Sequence, residues 1–134
     1  AASLYKKSNA LDLKGERDSN VFVIAMIENK EGVENSQEIA TVEGVDALMM
    51  GPMDLSFELG VPGQTSHQMV VAATLESAKS AKNANKHFVV GEAGGDLIQE
   101  LRANGASIFT GNNDGAYLLS ALSKAAQDFN QKLS

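Results

Sequence analysis

"VFVIAMIENKEGVEN", residues 21–35, opens with seven apolar residues, Val21 to Ile27, then stops on Glu28 and passes into a polar, Gly-bearing stretch that reads as a starting helix. Seven residues are too few for an ordinary helix, and the run is rich in β-branched side chains, so it predicts a strand of a parallel sheet. Similar short runs recur at Val45 to Met50, His87 to Val90 and Ser107 to Thr110. The second, with Met49 and Met50, reads as a strand mainly by its position. Between and after the runs lie helical patterns near Lys30 to Thr41, Ser66 to Asn85, Asp96 to Asn104 and Asp114 to Lys132. Asp96 is placed to cap a helix presenting Leu97, Ile98 and Leu101, with Gly105 as its left-handed stop, and Ser66 is placed to cap the long Ala-rich segment. Leu4 to Asn20 reads as a helix or an irregular lead-in.

Four alternations of strand and helix define an α/β fold with a parallel sheet. No linker rich in Pro, Gly and Ser divides the 134 residues, which are expected to form a single domain or a piece of one, with residues 1–20 as a lead-in. Two architectures fit: a small open doubly wound sheet, or half of a (β/α)8 barrel of the TIM type. Both put functional groups at the carboxyl ends of the strands.

Composition narrows the chemistry. With 43% hydrophobic and 21% charged residues the chain carries enough apolar material for a packed core. The net charge of -6, without a cluster of Lys and Arg, argues against a nucleic-acid partner. The longest apolar run falls far below the roughly 20 residues of a membrane span, and with no signal-like apolar stretch at the start a cytoplasmic location is expected. There is no Cys, which leaves oxygen and imidazole as the available ligands and excludes a thiol nucleophile.

The residues suited to chemistry gather after the first two strands. Glu28 directly follows the first, and Asp54 lies just beyond the second in "VDALMMGPMDLSFELG", residues 45–60. Neighbouring parallel strands would bring both carboxylates to one rim, an arrangement suited to a hard divalent cation such as Mg or Mn that keeps its other sites for water and substrate. The competing structural roles are a cap or a Lys partner for Glu28, and a cap on the turn Leu55 to Gly60 for Asp54. In Gly51-Pro52-Met53-Asp54, glycine permits close backbone approach or positive φ and proline removes one donor. The amides of Met53 and Asp54 are then free to face an anion such as a small carboxylate; the alternative is a plain turn leaving a strand. Elsewhere, His67 is expected to cap or pack at the start of the long helix, His87 to sit at a strand edge, and Asp114 to cap the final helix. "GEAGG", residues 91–95, lacks the spacing of a phosphate loop and reads as a strand-to-helix turn. Met49, Met50 and Met53 read as packing residues.

"MIENKEGVEN" (26–35), "VEGVDALMMGPMDLSFELGVPGQ" (42–64) and "GASIFTGNNDGAYLLSAL" (105–122) together resemble the second half of the HpcH/HpaI aldolases, the metal-dependent class II pyruvate aldolases. The resemblance runs from about Val21 to Phe129. It implies the last four units of a (β/α)8 barrel, with Glu28 and Asp54 as ligands of a Mg, Mn or Co ion. It further implies that the backbone of Gly51, Pro52, Met53 and Asp54 holds the carboxylate of pyruvate or an oxaloacetate-like 2-oxo acid. The ion would then stabilise the enolate formed in aldol cleavage or in addition to an aldehyde, without a Schiff-base Lys. The resemblance would also put Met26 near the substrate, at a position where many members have Gln.

The family's catalytic Arg and His come from the first half of the barrel, and no catalytic residue is identified in this chain. Its only Arg residues are Arg17, in the lead-in, and Arg102, on a helix. The chain therefore reads either as a fragment of a longer enzyme or as a half-barrel that keeps a metal-binding rim without acid-base machinery and pairs with another chain. A flavodoxin-like regulatory domain with an acidic pocket is a third reading. The family also implies a homo-oligomer, a trimer or hexamer, with contacts from the last helix. Its stripe of Ala116, Leu119, Leu122, Ala126 and Phe129 would equally serve a barrel core.

Overall fold

A computed structural model describes residues 20–91 and 95–133 of the chain. Residues 1–19 of the lead-in, Arg17 among them, and the middle of the GEAGG segment lie outside the described residues. The elements follow the expected alternation: β1 (Ile24–Ile27), α1 (Lys30–Glu34), α2 (Ser36–Thr41), β2 (Ala47–Met50), α3 (Pro52–Glu58), α4 (Gln68–Asn83), β3 (His87–Val90), α5 (Gly95–Ala103), β4 (Ala106–Phe109) and α6 (Asp114–Leu133). All strand pairs are parallel and the order is β1-β2-β3-β4. A doubly wound sheet reverses its strand order at a switch point; this one does not, and of the two architectures only the barrel type is left.

Alternation along the strands divides the sheet into two faces. Ile27, Leu48, Met50, Phe88, Val90 and Ala106 join one core cluster with Leu55 of α3, Val70, Ala78 and Ala81 of α4 and Leu101 of α5. The opposite face carries Ile24 and Met26, which are 43% and 52% exposed. β1 and β4 are the outer strands of this sheet, so each has one edge without a partner strand among the described residues.

The first apolar run is longer than its strand. Val21 and Phe22 stay outside β1, because pairing begins where Ile24 meets Ala47. Val23 is fastened at the margin: its N–H donates to the Asp46 carboxylate at 2.8 Å, and its carbonyl accepts from the amides of Asp46 and Ala47. The helix expected from Lys30 to Thr41 is two helices meeting at Asn35, which ends α1 and begins α2. A buried hydrogen bond of 2.8 Å from Ser36 to Ser80 pins the start of α2 to α4 and reorients the chain at that point.

Caps differ from expectation at α5 and α6, and at α4 the capping role expected of His67 is observed while Ser66 does not take it. The imidazole Nδ1 of His67, not Ser66, caps α4 by accepting from the Met69 amide at 3.3 Å. Asp96 lies inside the first turn of α5, which begins at Gly95. Asn113, not Asp114, caps α6 by accepting from the Ala116 amide at 2.8 Å. Gly105 does end α5 with a positive φ of 114°. At the end of α4, Asn85 takes φ 56° and Lys86 donates its amide to Ala81, a Schellman closure that turns the chain into β3.

No residue of α6 is buried, and Leu119, Leu122 and Phe129 of its apolar stripe are at least 60% exposed. No described helix is long and apolar enough to cross a membrane. Phe88 is fully buried at the centre of the core, whereas Phe57 is 63% exposed. Phe88→Ala is therefore expected to cost about 3–5 kcal/mol in denaturant unfolding, and Phe57→Ala less than about 1 kcal/mol.

Candidate active site at the carboxyl ends of the strands

The carboxyl rim is built by the step from β1 to α1 and from β2 to α3. Ile27 of β1 pairs with Met50 of β2, and the Gly51 amide donates to the Ile27 carbonyl at 2.8 Å, which carries the β1–β2 pairing one residue past β2. Glu28 and Gly51 are thereby held side by side. Alternation puts Glu28 on the same side of the sheet as Ile24 and Met26, the side turned away from the helices.

The structural roles considered for Glu28 are filled by others or absent. Asn29 caps α1, its Oδ1 accepting from the Gly32 amide at 2.7 Å. Glu28 is exposed and has no hydrogen bond or ion pair among the described residues.

Asp54 lies in the first turn of α3, a helix not foreseen in the sequence. Its signals were present: Pro52 at the first helical position, an acid in the first turn, and Gly60 with φ 76° just past the C-cap Leu59. Leu55 and Ser56 are fully buried and dock α3 on the core. The Ser56 hydroxyl donates to the Met53 carbonyl at 2.6 Å and accepts from the Gly63 amide at 2.9 Å. The Asp54 carboxylate is exposed and, like that of Glu28, has no partner among the described residues. Pro52 has no N–H, and the amides of Met53 and Asp54 find no acceptor within the helix, as the first turn requires. Met53 is 51% exposed, whereas Met50 is buried in the core.

Gly51 does not have positive φ; its φ is -94° and its ψ is 82°. What it provides is space. A Cβ at this position would stand 2.7 Å from Cγ and 2.8 Å from Oε1 of Glu28.

The other candidates lie elsewhere. His87 opens β3, on the amino rim, where its Nδ1 pairs with the Ser107 hydroxyl at 2.8 Å and its ring lies 5.8 Å from that of Phe22. Arg102 is in the last turn of α5, close to the start of β4 and so toward the same amino rim. Asp114 accepts from the adjacent Gly115 amide at 2.8 Å. No third His, Asp or Glu among the described residues completes a metal-binding cluster with the two acids. A cavity of about 130 Å³ behind the rim is lined by Met49, Phe88, Val89, Leu97, Leu101 and further apolar or hydroxyl side chains, none of them titratable among the described residues.

Four parallel strands in sequential order, with helices over one face and acids on the carboxyl rim, define a domain of the β/α-barrel type. The family model described as HpcH/HpaI aldolase/citrate lyase matches residues 6–121, and the chain belongs to that family. It is 32% identical over 114 residues to the hydroxypyruvate/pyruvate aldolase of Roseobacter denitrificans, covering 85% of this chain and 44% of that protein. It is 31% identical over 119 residues to the 5-keto-4-deoxy-D-glucarate aldolase of Klebsiella pneumoniae, covering 88% of this chain and 46% of that one. The crystal structure of an HpcH/HpaI aldolase from Desulfitobacterium hafniense superposes with a TM-score of 0.79 at 28% identity, over 93% of this chain and 49% of that chain. The chain thus spans about half the length of the relatives it matches.

The two acids and the cap beside them are expected to separate in a stability measurement. Asn29→Ala removes a capping acceptor and should cost about 1 kcal/mol. Glu28→Gln removes a charge that has no partner among the described residues and should leave metal-free denaturant unfolding within about 0.5 kcal/mol of the parent.

Proposed function

We propose that the chain is part of a divalent-metal-dependent carbon–carbon lyase that cleaves or forms aldol products of 2-oxo acids such as pyruvate. The observation that carries this reading is the pair of carboxylates, Glu28 and Asp54, without a partner among the described residues and set on one rim by adjacent parallel strands. Two hard oxygen donors with open space beside them fit a Mg, Mn or Co ion that keeps most of its coordination sites for water and substrate. When bound, such an ion supplies positive charge next to the carboxylate and keto oxygens of the 2-oxo acid, where an enolate's charge develops. The residues of the chain do the positioning. Glu28 and Asp54 hold the charge at the rim, and the amides of Met53 and Asp54 are free to meet the substrate carboxylate. Met26, apolar and exposed two residues before Glu28, faces the side from which the substrate would enter. The proton donor and acceptor are expected from residues outside the described ones, since neither Arg102 nor His87 is on this rim.

A second reading, a non-catalytic half-barrel that associates with another chain, is favoured by one observation. The open face of β1 and the stripe of α6 leave Ile24, Met26, Leu119, Leu122 and Phe129 exposed. Both readings expect the chain to be covered there, by the remaining part of a barrel, by copies in a homo-oligomer, or by a partner. They share the metal-binding rim and differ in whether catalysis accompanies it. Under the lyase reading, Mn at 100 times its dissociation constant raises stability by about 2.7 kcal/mol. Glu28→Ala and Asp54→Ala should each abolish the gain. Melting curves that coincide in excess Mn, excess Mg and EDTA would sink the metal-binding rim and the lyase reading that rests on it, leaving at most a half-barrel that associates with another chain without a metal.

A further inference from the structure

We infer that Gly51 is a positioning residue for the Glu28 carboxylate: the side chain that glycine lacks is the space that the carboxylate arm occupies. This rests on the reading of Glu28 as a metal ligand. Glycine commonly serves a backbone that other residues rarely adopt, as at Gly44, Gly60 and Gly63, which have φ of 87°, 76° and 75° with nothing within 4 Å of a would-be Cβ. Gly51 is the reverse case. Its φ of -94° is open to any residue, yet the three nearest atoms to its would-be Cβ all belong to Glu28: Cγ at 2.7 Å, Oε1 at 2.8 Å and Cδ at 3.3 Å.

The backbone there has little room to retreat. The Gly51 amide is bonded to the Ile27 carbonyl, and its own carbonyl accepts from Leu55 at 3.1 Å, so the residue is tied to β1 on one side and to the first turn of α3 on the other. Rotating the terminal carboxylate alone relieves the contact with Oε1 but not that with Cγ. A methyl group at position 51 therefore has to swing the whole Glu28 arm off Gly51, away from the turn that carries Asp54.

The test measures Mn binding by calorimetry, and melting in EDTA, for the parent protein, Gly51→Ala, Glu28→Ala and the double variant. Gly51→Ala is expected to lose about tenfold or more in Mn affinity while its melting in EDTA stays near the parent's, a separation that a purely structural glycine would not show. Should Gly51→Ala fail to fold, the double variant must fold, because the obstructing arm is gone. Parental Mn affinity in Gly51→Ala would overturn the inference and leave the metal site standing, as would a double variant that also fails to fold. Absence of Mn binding by the parent protein would overturn the metal reading, and this inference with it.

Discussion

The hydrogen bond from the Gly51 amide to the Ile27 carbonyl, 2.8 Å long, is the constraint on which the carboxyl rim depends. It continues the parallel register of β1 and β2 beyond the last ladder pair and brings the chain segments that follow both strands to one level. Because side chains alternate, a slip of one residue would send Glu28 into the core and Ile27 out of it. The core forbids that slip: Ile27, Leu48 and Leu55 are essentially fully buried together, and exposing any one of them would cost roughly 1.5–3 kcal/mol. The placement of a charged, solvent-facing group is thus enforced by apolar packing behind it.

The two rims of the sheet use their polar groups differently. On the amino side, the Asp46 carboxylate accepts from Val23, Lys86 donates to the Val45 carbonyl at 2.6 Å, and His87 meets Ser107. Each of these side chains closes a backbone gap or ties neighbouring strands. On the carboxyl side, Glu28 and Asp54 do neither, while the chain supplies separate residues for local structure beside them, Asn29 for the cap and Ser56 for the loop. Polar groups thus hold the fold on one side, while on the other the two acids have no partner among the described residues, a division that matches the stability and functional ends of a β/α barrel.

Most of the architecture was legible because four short apolar runs separated by helical patterns admit few topologies, and His87 to Val90 matches its strand to the residue. Two of the differences depend on tertiary pairing, present or missing, which the local pattern does not carry. Val21 and Phe22 are as apolar as Ile24 but have no paired strand residue opposite them. Lys30 to Thr41 has helical spacing throughout, yet the Ser36 bond to a hydroxyl 44 residues away bends it. Of the two capping candidates at α4, His67 takes the position, and Ser66, which carries the more usual capping group, does not. At the rim, the sequence pointed to Glu28 and Asp54 from their positions after strands. It could not show that their carboxylates lack partners, nor that Gly51 is needed for clearance and not for an unusual φ, since both depend on where the Glu28 side chain lies. The short helix α3 was hidden by its opening Gly-Pro, which reads as a turn although proline is equally at home in the first position of a helix.

The isolation of α6 affects how the molecule would open. At 20 residues and about 1.5 Å per residue it is roughly 30 Å long, more than twice the span of the four-residue strands it follows. A helix of that length is only modestly above the ~12–15 residues at which isolated helices become marginal in water. With none of its residues buried, its order is only weakly coupled to that of the sheet. Backbone amides of α6 would then exchange with solvent through local fraying, long before those of β2 and β3, which exchange only when the core itself comes apart. Whatever comes to cover its apolar stripe would convert this separate cooperative unit into part of the main one.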